Sequence, residues 1–165
     1  MTKVQFYDPS GKLRRVRSYA YDAADRVAKA IGALGQTTAY AYDANSNLIK
    51  VTDPLSHTTT YGYDALNRLA KTVDPTGGVT ADAYDALDHL TAVLDPRGLK
   101  TRYGWNALDD QTAVVSPDSG TTTRSYDAAG NVVASTDARG MKTVYKYDAL
   151  GRRVAAVYAD GRAVG

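Results

Sequence analysis

Short runs in which aromatic or β-branched residues alternate with small or polar ones recur along the chain at a fixed interval. The run Thr58 to Asp64 (TTTYGYD) is rich in Thr and Tyr, and its two-residue period predicts a strand. A second run, Leu69 to Val73, follows after Leu66-Asn67-Arg68 and stops at Asp74-Pro75, because proline cannot donate to a ladder. Strand, tight turn, strand and Asp-Pro stop together predict a β-hairpin. A hairpin symmetric about its turn sets Tyr61 opposite Thr72 and Tyr63 opposite Ala70. The apolar spacing of Ala65 to Val73 also suits a helix, but Asp-Pro and Gly would stop it within about ten residues, and the flanking Thr- and Tyr-rich runs still require strands.

The hairpin is one of a series. Tyr-Asp occurs at Tyr21-Asp22, Tyr42-Asp43, Tyr63-Asp64, Tyr84-Asp85, Tyr126-Asp127 and Tyr147-Asp148, with Trp105-Asn106 filling the gap, so the period is 21 residues through seven copies. Alanine follows in every copy, and a second tyrosine precedes the first by two positions at Tyr19, Tyr40, Tyr61, Tyr103 and Tyr145, replaced by Asp82 and Arg124 elsewhere. Asp53-Pro54, Asp74-Pro75 and Asp95-Pro96 end the second strands, and Gly77, Gly98 and Gly140 supply the reversal into the next copy. The aspartates read as acceptors for backbone N-H groups of the turns. One such copy cannot bury enough surface to order itself, so stability must reside in the contacts between copies. The domain reading is a partial, out-of-phase leading repeat over residues 1–18, containing Tyr7-Asp8-Pro9-Ser10-Gly11, then seven tandem repeats over 19–165. The fold class is all-β: tandem 21-residue hairpins forming one long, curved antiparallel sheet of about fourteen strands.

Composition narrows the chemistry. The 165 residues carry 20 basic and 18 acidic side chains, a formal charge of +2, which argues against an electrostatically driven nucleic-acid binder. No cysteine is present, which removes disulfides, thiol nucleophiles and cysteine-based zinc sites. No apolar run is long enough to insert in a membrane, and the first residues show no apolar core resembling a signal peptide. The 13 tyrosines against one Phe and one Trp imply half-exposed rings with a wet hydroxyl end.

Tyr147-Asp148-Ala149-Leu150-Gly151-Arg152, with Asp-Pro-x-Gly units such as Asp95-Pro96-Arg97-Gly98, resembles the YD repeat of Rhs proteins, shared with C subunits of bacterial ABC toxins, wall-associated proteins and teneurins. The resemblance covers residues 19–165. It implies a sheet spiralling into a hollow shell, here a partial Rhs-type shell, that encloses a toxin domain, with a secreted or cell-surface location. It also implies more copies than seven, so the chain reads as a piece of a longer array or as an orphan array. Copy five departs from the pattern, with Trp105-Asn106 for Tyr-Asp and Asp109-Asp110 for Gly-Arg.

Chemistry beyond architecture is sparse. The aspartate column is spaced about 10 Å per repeat, too far to share a small ion. His57 and His89 occupy different repeat positions and read as surface side chains. Phosphate-binding loops and nucleophile elbows are absent, so neither catalysis nor a cofactor or metal is expected. The structural residues are Tyr21, Tyr42, Tyr63, Tyr84, Trp105, Tyr126, Tyr147, Asp22, Asp43, Asp64, Asp85, Asp127, Asp148, Gly77, Gly98 and Gly140. The leading function is a non-catalytic wall segment of an encapsulating shell. Its expected partners are further repeats or a second copy through the sheet edges, and an enclosed toxin domain. The alternative is a module that binds carbohydrate or a cell surface through exposed Tyr rows.

Overall fold

The computed structural model describes residues 2–7, 9–11 and 13–164. Asp8 and Lys12 of the leading partial copy lie outside the described residues. The strands are β1 (Thr2–Tyr7), β2 (Leu13–Tyr21), β3 (Val27–Ile31), β4 (Thr37–Tyr42), β5 (Leu48–Thr52), β6 (Thr58–Tyr63), β7 (Leu69–Val73), β8 (Val79–Tyr84), β9 (Leu90–Leu94), β10 (Lys100–Trp105), β11 (Gln111–Ser116), β12 (Gly120–Tyr126), β13 (Val132–Thr136), β14 (Lys142–Tyr147), β15 (Arg153–Tyr158) and β16 (Ala163–Val164). They form one open 16-stranded antiparallel sheet in chain order. The count exceeds fourteen because β1 extends the array at one end and β16 begins a further strand at the other. Two compact units divide the chain, Met1–Ala81 and Asp82–Gly165.

Within each unit two kinds of strand pairing alternate. The hairpin pair β6–β7 joins Thr60 to Val73, Tyr61 to Thr72, Gly62 to Lys71 and Tyr63 to Leu69, with a register shift between Gly62 and Tyr63. Tyr61 therefore faces Thr72, whereas Tyr63 faces Leu69 instead of Ala70. A β-bulge leaves Ala70 unpaired, which hairpin symmetry alone does not anticipate. The same shift recurs at Ala41/Tyr42, Gly104/Trp105, Ser125/Tyr126 and Lys146/Tyr147. The linking pair β5–β6 is shorter, joining only Lys50 to Thr60, Val51 to Thr59 and Thr52 to Thr58. Its ladder stops short of the tyrosine end of the strands. Combining the registers, each repeat is offset from the last by two residues along the strand, as Lys29 faces Ala39 while Lys50 faces Ala41.

Both turns are the same device. Asp64 N-H donates to the carbonyl of Arg68 at 2.9 Å and Asn67 N-H to that of Asp64 at 3.0 Å, while Asp53 and Ser56 repeat the pattern with His57 at 2.9 Å and with Asp53 at 3.0 Å. This is a three-residue hairpin loop whose last residue is left-handed. That residue is Asp25, Ser46, Asn67, Asp88, Asp109, Gly130 or Gly151 in the Tyr-Asp turns, and Gly35, Ser56, Gly77, Gly98, Gly140 or Gly161 in the linking turns. The linking turn after β11 shifts the left-handed residue to Gly120, and the turn between β1 and β2 has Gly11 left-handed.

No dry core exists in the usual sense: only Ala92 and Ala156 are buried among the described residues. The order comes from ladders, caps and half-covered rings. Gly77 has φ 89° and open space where a Cβ would stand, so strain there comes from the backbone alone. Gly77→Val is expected to destabilise by about 1–2 kcal/mol, whereas Gly77→Asn costs a small part of that, since asparagine already holds the equivalent conformation at Asn67. Urea unfolding of the two variants measures the difference.

Candidate functional site

The aspartate opening each turn organises it. Asp64 Oδ1 accepts the N-H groups of Leu66 at 2.9 Å and Arg68 at 3.0 Å, and its Oδ2 accepts Arg68 Nε at 2.7 Å. Asp22 makes the same set with Ala24 and Arg26, and Asp148 with Leu150 and Arg152. Asp43 and Asp127 substitute an asparagine for the arginine, at Asn47 and Asn131, and Asp85 a histidine, His89. The carboxyl of Asp64 lies below its ordinary value, first because the Arg68 N-H donates to it and then because its guanidinium does. Asp127 is lowered without any cation, chiefly by the Asn131 amide. The cap itself, more than the ion pair, holds the carboxylate charged.

The tyrosines join one repeat to the next. Tyr63 Oη donates to the Leu48 carbonyl at 3.0 Å, Tyr42 Oη to Val27 at 3.0 Å, Tyr126 Oη to Gln111 at 2.7 Å and Tyr147 Oη to Val132 at 2.9 Å. Each acceptor is the first residue of the preceding repeat's second strand, beside the stretch where the linking ladder has stopped. A phenol reaches across that opening and a phenyl ring does not, which accounts for tyrosine at these four positions. Tyr21 ends β2 opposite Val27 and stays exposed, and Tyr84 ends β8.

Copy five keeps this arrangement with other chemistry. Trp105 Nε1 donates to the Leu90 carbonyl at 3.0 Å, in place of the phenol. Asn106 Oδ1 accepts Leu108 and Asp110 N-H, both at 2.9 Å, and its amide donates to Asp110 at 3.0 Å, so donor and acceptor have exchanged places. In the first linking turn Gly32 has no side chain, and Gln36 Oε1 supplies the acceptor for Leu34 N-H at 2.9 Å. A Cβ at position 32 would fall 2.6 Å from Gln36 Cδ, so glycine and glutamine are matched there.

At several Tyr-Asp turns the closing residue also reaches sideways. Arg26 donates to the Asp43 carbonyl and to Ser46 Oγ, both at 3.0 Å, and its guanidinium lies 4.7 Å from the Tyr42 ring centroid. Asn47 donates to Asn67 Oδ1 at 2.8 Å. His89 sits between Asp85 at 2.9 Å and Asp109 at 3.0 Å and stacks on Trp105 at 4.7 Å with 11° between the planes. Its side chain is 10% exposed, which corrects its reading as a surface group; His57 at 59% fits it. The imidazole is raised above 6.5, first by its hydrogen bond to Asp85, because donating from both nitrogens requires the extra proton. Asp82, in the column that otherwise holds the second tyrosine, is raised by burial. Gly98 and Gly140 take left-handed conformations in their linking turns, as Gly77 does.

A family profile described as RHS Repeat matches residues 21–55, 42–79, 84–124 and 126–163, well over half of the chain. No curated sequence relative matches. Among solved structures, the crystal structure of TcdB2-TccC3-Cdc42 aligns over 95% of this chain with a TM-score of 0.76 at 13% identity, and that of TcdB2-TccC3-TEV over 95% with 0.72 at 17%. The Photorhabdus luminescens Tc holotoxin pore aligns over 97% with 0.75 at 12%. At such identities the likeness concerns the fold. The chain spans about a tenth of the length of each of these solved chains.

Tyr63→Phe is expected to lower stability by about 1 kcal/mol, because the Leu48 carbonyl loses its donor. Tyr61→Phe is expected to have little effect, as the Tyr61 hydroxyl has no hydrogen-bond partner among the described residues. Trp105→Phe should cost about as much as Tyr63→Phe and Trp105→Tyr should restore it, both read from chemical unfolding. The raised imidazole means that the folded state holds the proton more tightly, so the contribution of His89 is complete below its ordinary value of 6.5 and fades as pH rises through the folded-state value. The stability advantage of the wild type over His89→Gln is therefore expected to be larger at about pH 5.5 than at about pH 8.5; equal advantages at both would contradict the doubly donating imidazolium.

Proposed function

Because the chain belongs to the RHS repeat family, we propose that it is a wall segment of an encapsulating shell, whose working property is continuity of the sheet. The observation that carries this reading is the fold match over 95% of the chain to parts of far larger chains in Tc toxin structures. The local chemistry supports it. Bulge, cap and tyrosine bond recur at nearly every copy, whereas a binding or catalytic site would concentrate on one. The carboxylates at the turns are engaged as caps, which supports a non-catalytic role, and the Tyr-Asp columns with Gly77, Gly98 and Gly140 are the residues on which the wall depends. In this reading residues 19–165 are seven repeats of wall and 1–18 a leading partial one. Strands β1 and β16 offer open edges to further repeats or to a second copy. What the shell would enclose is a toxin domain, and it would act outside the producing cell.

A chimera tests the proposal. The stretch of the TcdB2-TccC3 assembly that aligns with this chain is replaced by residues 19–163, and formation of the particle is followed by electron microscopy. A closed particle is the expected result. A chimera that keeps its β-sheet by circular dichroism but gives only open or unassembled particles would overturn the reading.

A further inference from the structure

The two faces of the sheet differ in charge. In the unit 1–81, Lys29 faces Ala20 and Ala39, Lys50 faces Ala41 and Thr60, and Lys71 faces Gly62 and Ala81. Cross-strand partners share a face and side chains alternate along a strand, so the three lysines lie on one face and Tyr19, Tyr40 and Tyr61 on the other. In the unit 82–165 the same alternation, followed through Ala92, Val115, Thr123 and Thr136, sets Lys100, Arg102, Lys142 and Lys146 on one face and Tyr103 and Tyr145 on the other. All seven basic side chains are exposed, and none has an ion-pair partner among the described residues.

No acid balances them there. Every described aspartate lies in a turn at a strand end except Asp82, which belongs to the tyrosine column, and the chain contains no glutamate. The basic face also carries exposed aliphatic side chains, Val79 in the unit 1–81 and Leu94, Val115 and Val144 in the unit 82–165.

We propose that the basic face of each unit docks an acidic polypeptide surface whose carboxylates meet the basic side chains and whose apolar side chains meet the aliphatic ones of that unit. Charge complementarity sets the sign of the partner, and three observations set its class. Single-strand nucleic-acid binders need aromatic platforms inside the basic groove, and here the tyrosine columns occupy the opposite face. Successive lysines in the unit 1–81 are two strands and two residues apart, about 12 Å, whereas duplex DNA carries a charge about every 1.7 Å. A membrane surface would be met with apolar side chains that protrude into the lipid, and the aliphatic ones on this face are only 37–41% exposed. A second copy offers no acidic mid-sheet surface in return. This inference does not depend on the wall reading.

The probe is short fluorescent poly-L-glutamate, titrated against the intact chain at several salt concentrations. Saturable, salt-sensitive binding is expected, weakened at least about tenfold by combined Lys29→Gln, Lys50→Gln and Lys71→Gln and unchanged by Arg17→Gln with Arg124→Gln on the tyrosine face. Circular dichroism and melting verify that the variants fold. Should the triple variant fail to fold, amine acetylation of the wild type read by mass spectrometry decides instead: poly-L-glutamate should protect Lys29, Lys50, Lys71, Lys100, Lys142 and Lys146. Absence of saturable binding, absence of protection, or tighter binding to oligo-dT or to phosphatidylserine vesicles at matched charge each overturns the proposal.

Discussion

A tyrosine hydroxyl donating to a backbone carbonyl across an opening in the sheet is the interaction on which the array depends. The bulge at each Tyr-Asp turn adds a residue to one strand, and the neighbouring linking ladder then ends after three pairs, as between β5 and β6. The Leu48 carbonyl would otherwise face that opening without a protein donor, and the phenol of Tyr63 supplies one at 3.0 Å. Bulge and tyrosine are therefore two halves of one device. Because donor and acceptor belong to successive copies, a repeat completes its own backbone pairing only when the next repeat is folded.

Within that device the chemistry is exchangeable as long as the bonding roles survive. Asp64 and Asn106 each accept two backbone N-H groups at the opening position, and beside Gly32 the neighbouring Gln36 supplies an acceptor for one. The closing residue must donate to that cap or, in copy five, accept from it; arginine, asparagine, histidine and aspartate all occur. Trp105 shows that a ring bearing one N-H serves where a phenol usually does. Departures from the Tyr-Asp consensus are thus changes of side chain and not of hydrogen-bond topology.

The repeat itself, the strands and the position of the turns were legible because they are written in period and in proline and glycine placement. The register at Tyr63 was not, because a hairpin counted symmetrically from its turn has no place for the unpaired Ala70. The period already set Trp105 in the tyrosine column; what residue names alone did not show is why tryptophan serves there, since the structure depends on a donor and the indole supplies one. His89 looked isolated because its partners Asp109 and Trp105 come from the following copy, brought close only by the stacking of hairpins. A signal was available, since positions 20 residues apart fall on adjacent turns once the period is known. The basic face needed the register as well, because lysines spaced by one repeat reveal their shared side only when the pairing is fixed.

The scarcity of fully covered hydrocarbon has a thermal consequence. With only Ala92 and Ala156 buried among the described residues and most strand side chains partly covered, melting transfers less apolar surface to water than it does for a globular chain of this length. The heat-capacity increment of unfolding is then smaller. A smaller increment flattens the curve of free energy against temperature, so the sheet loses its hold more gradually on warming and is less weakened by cold.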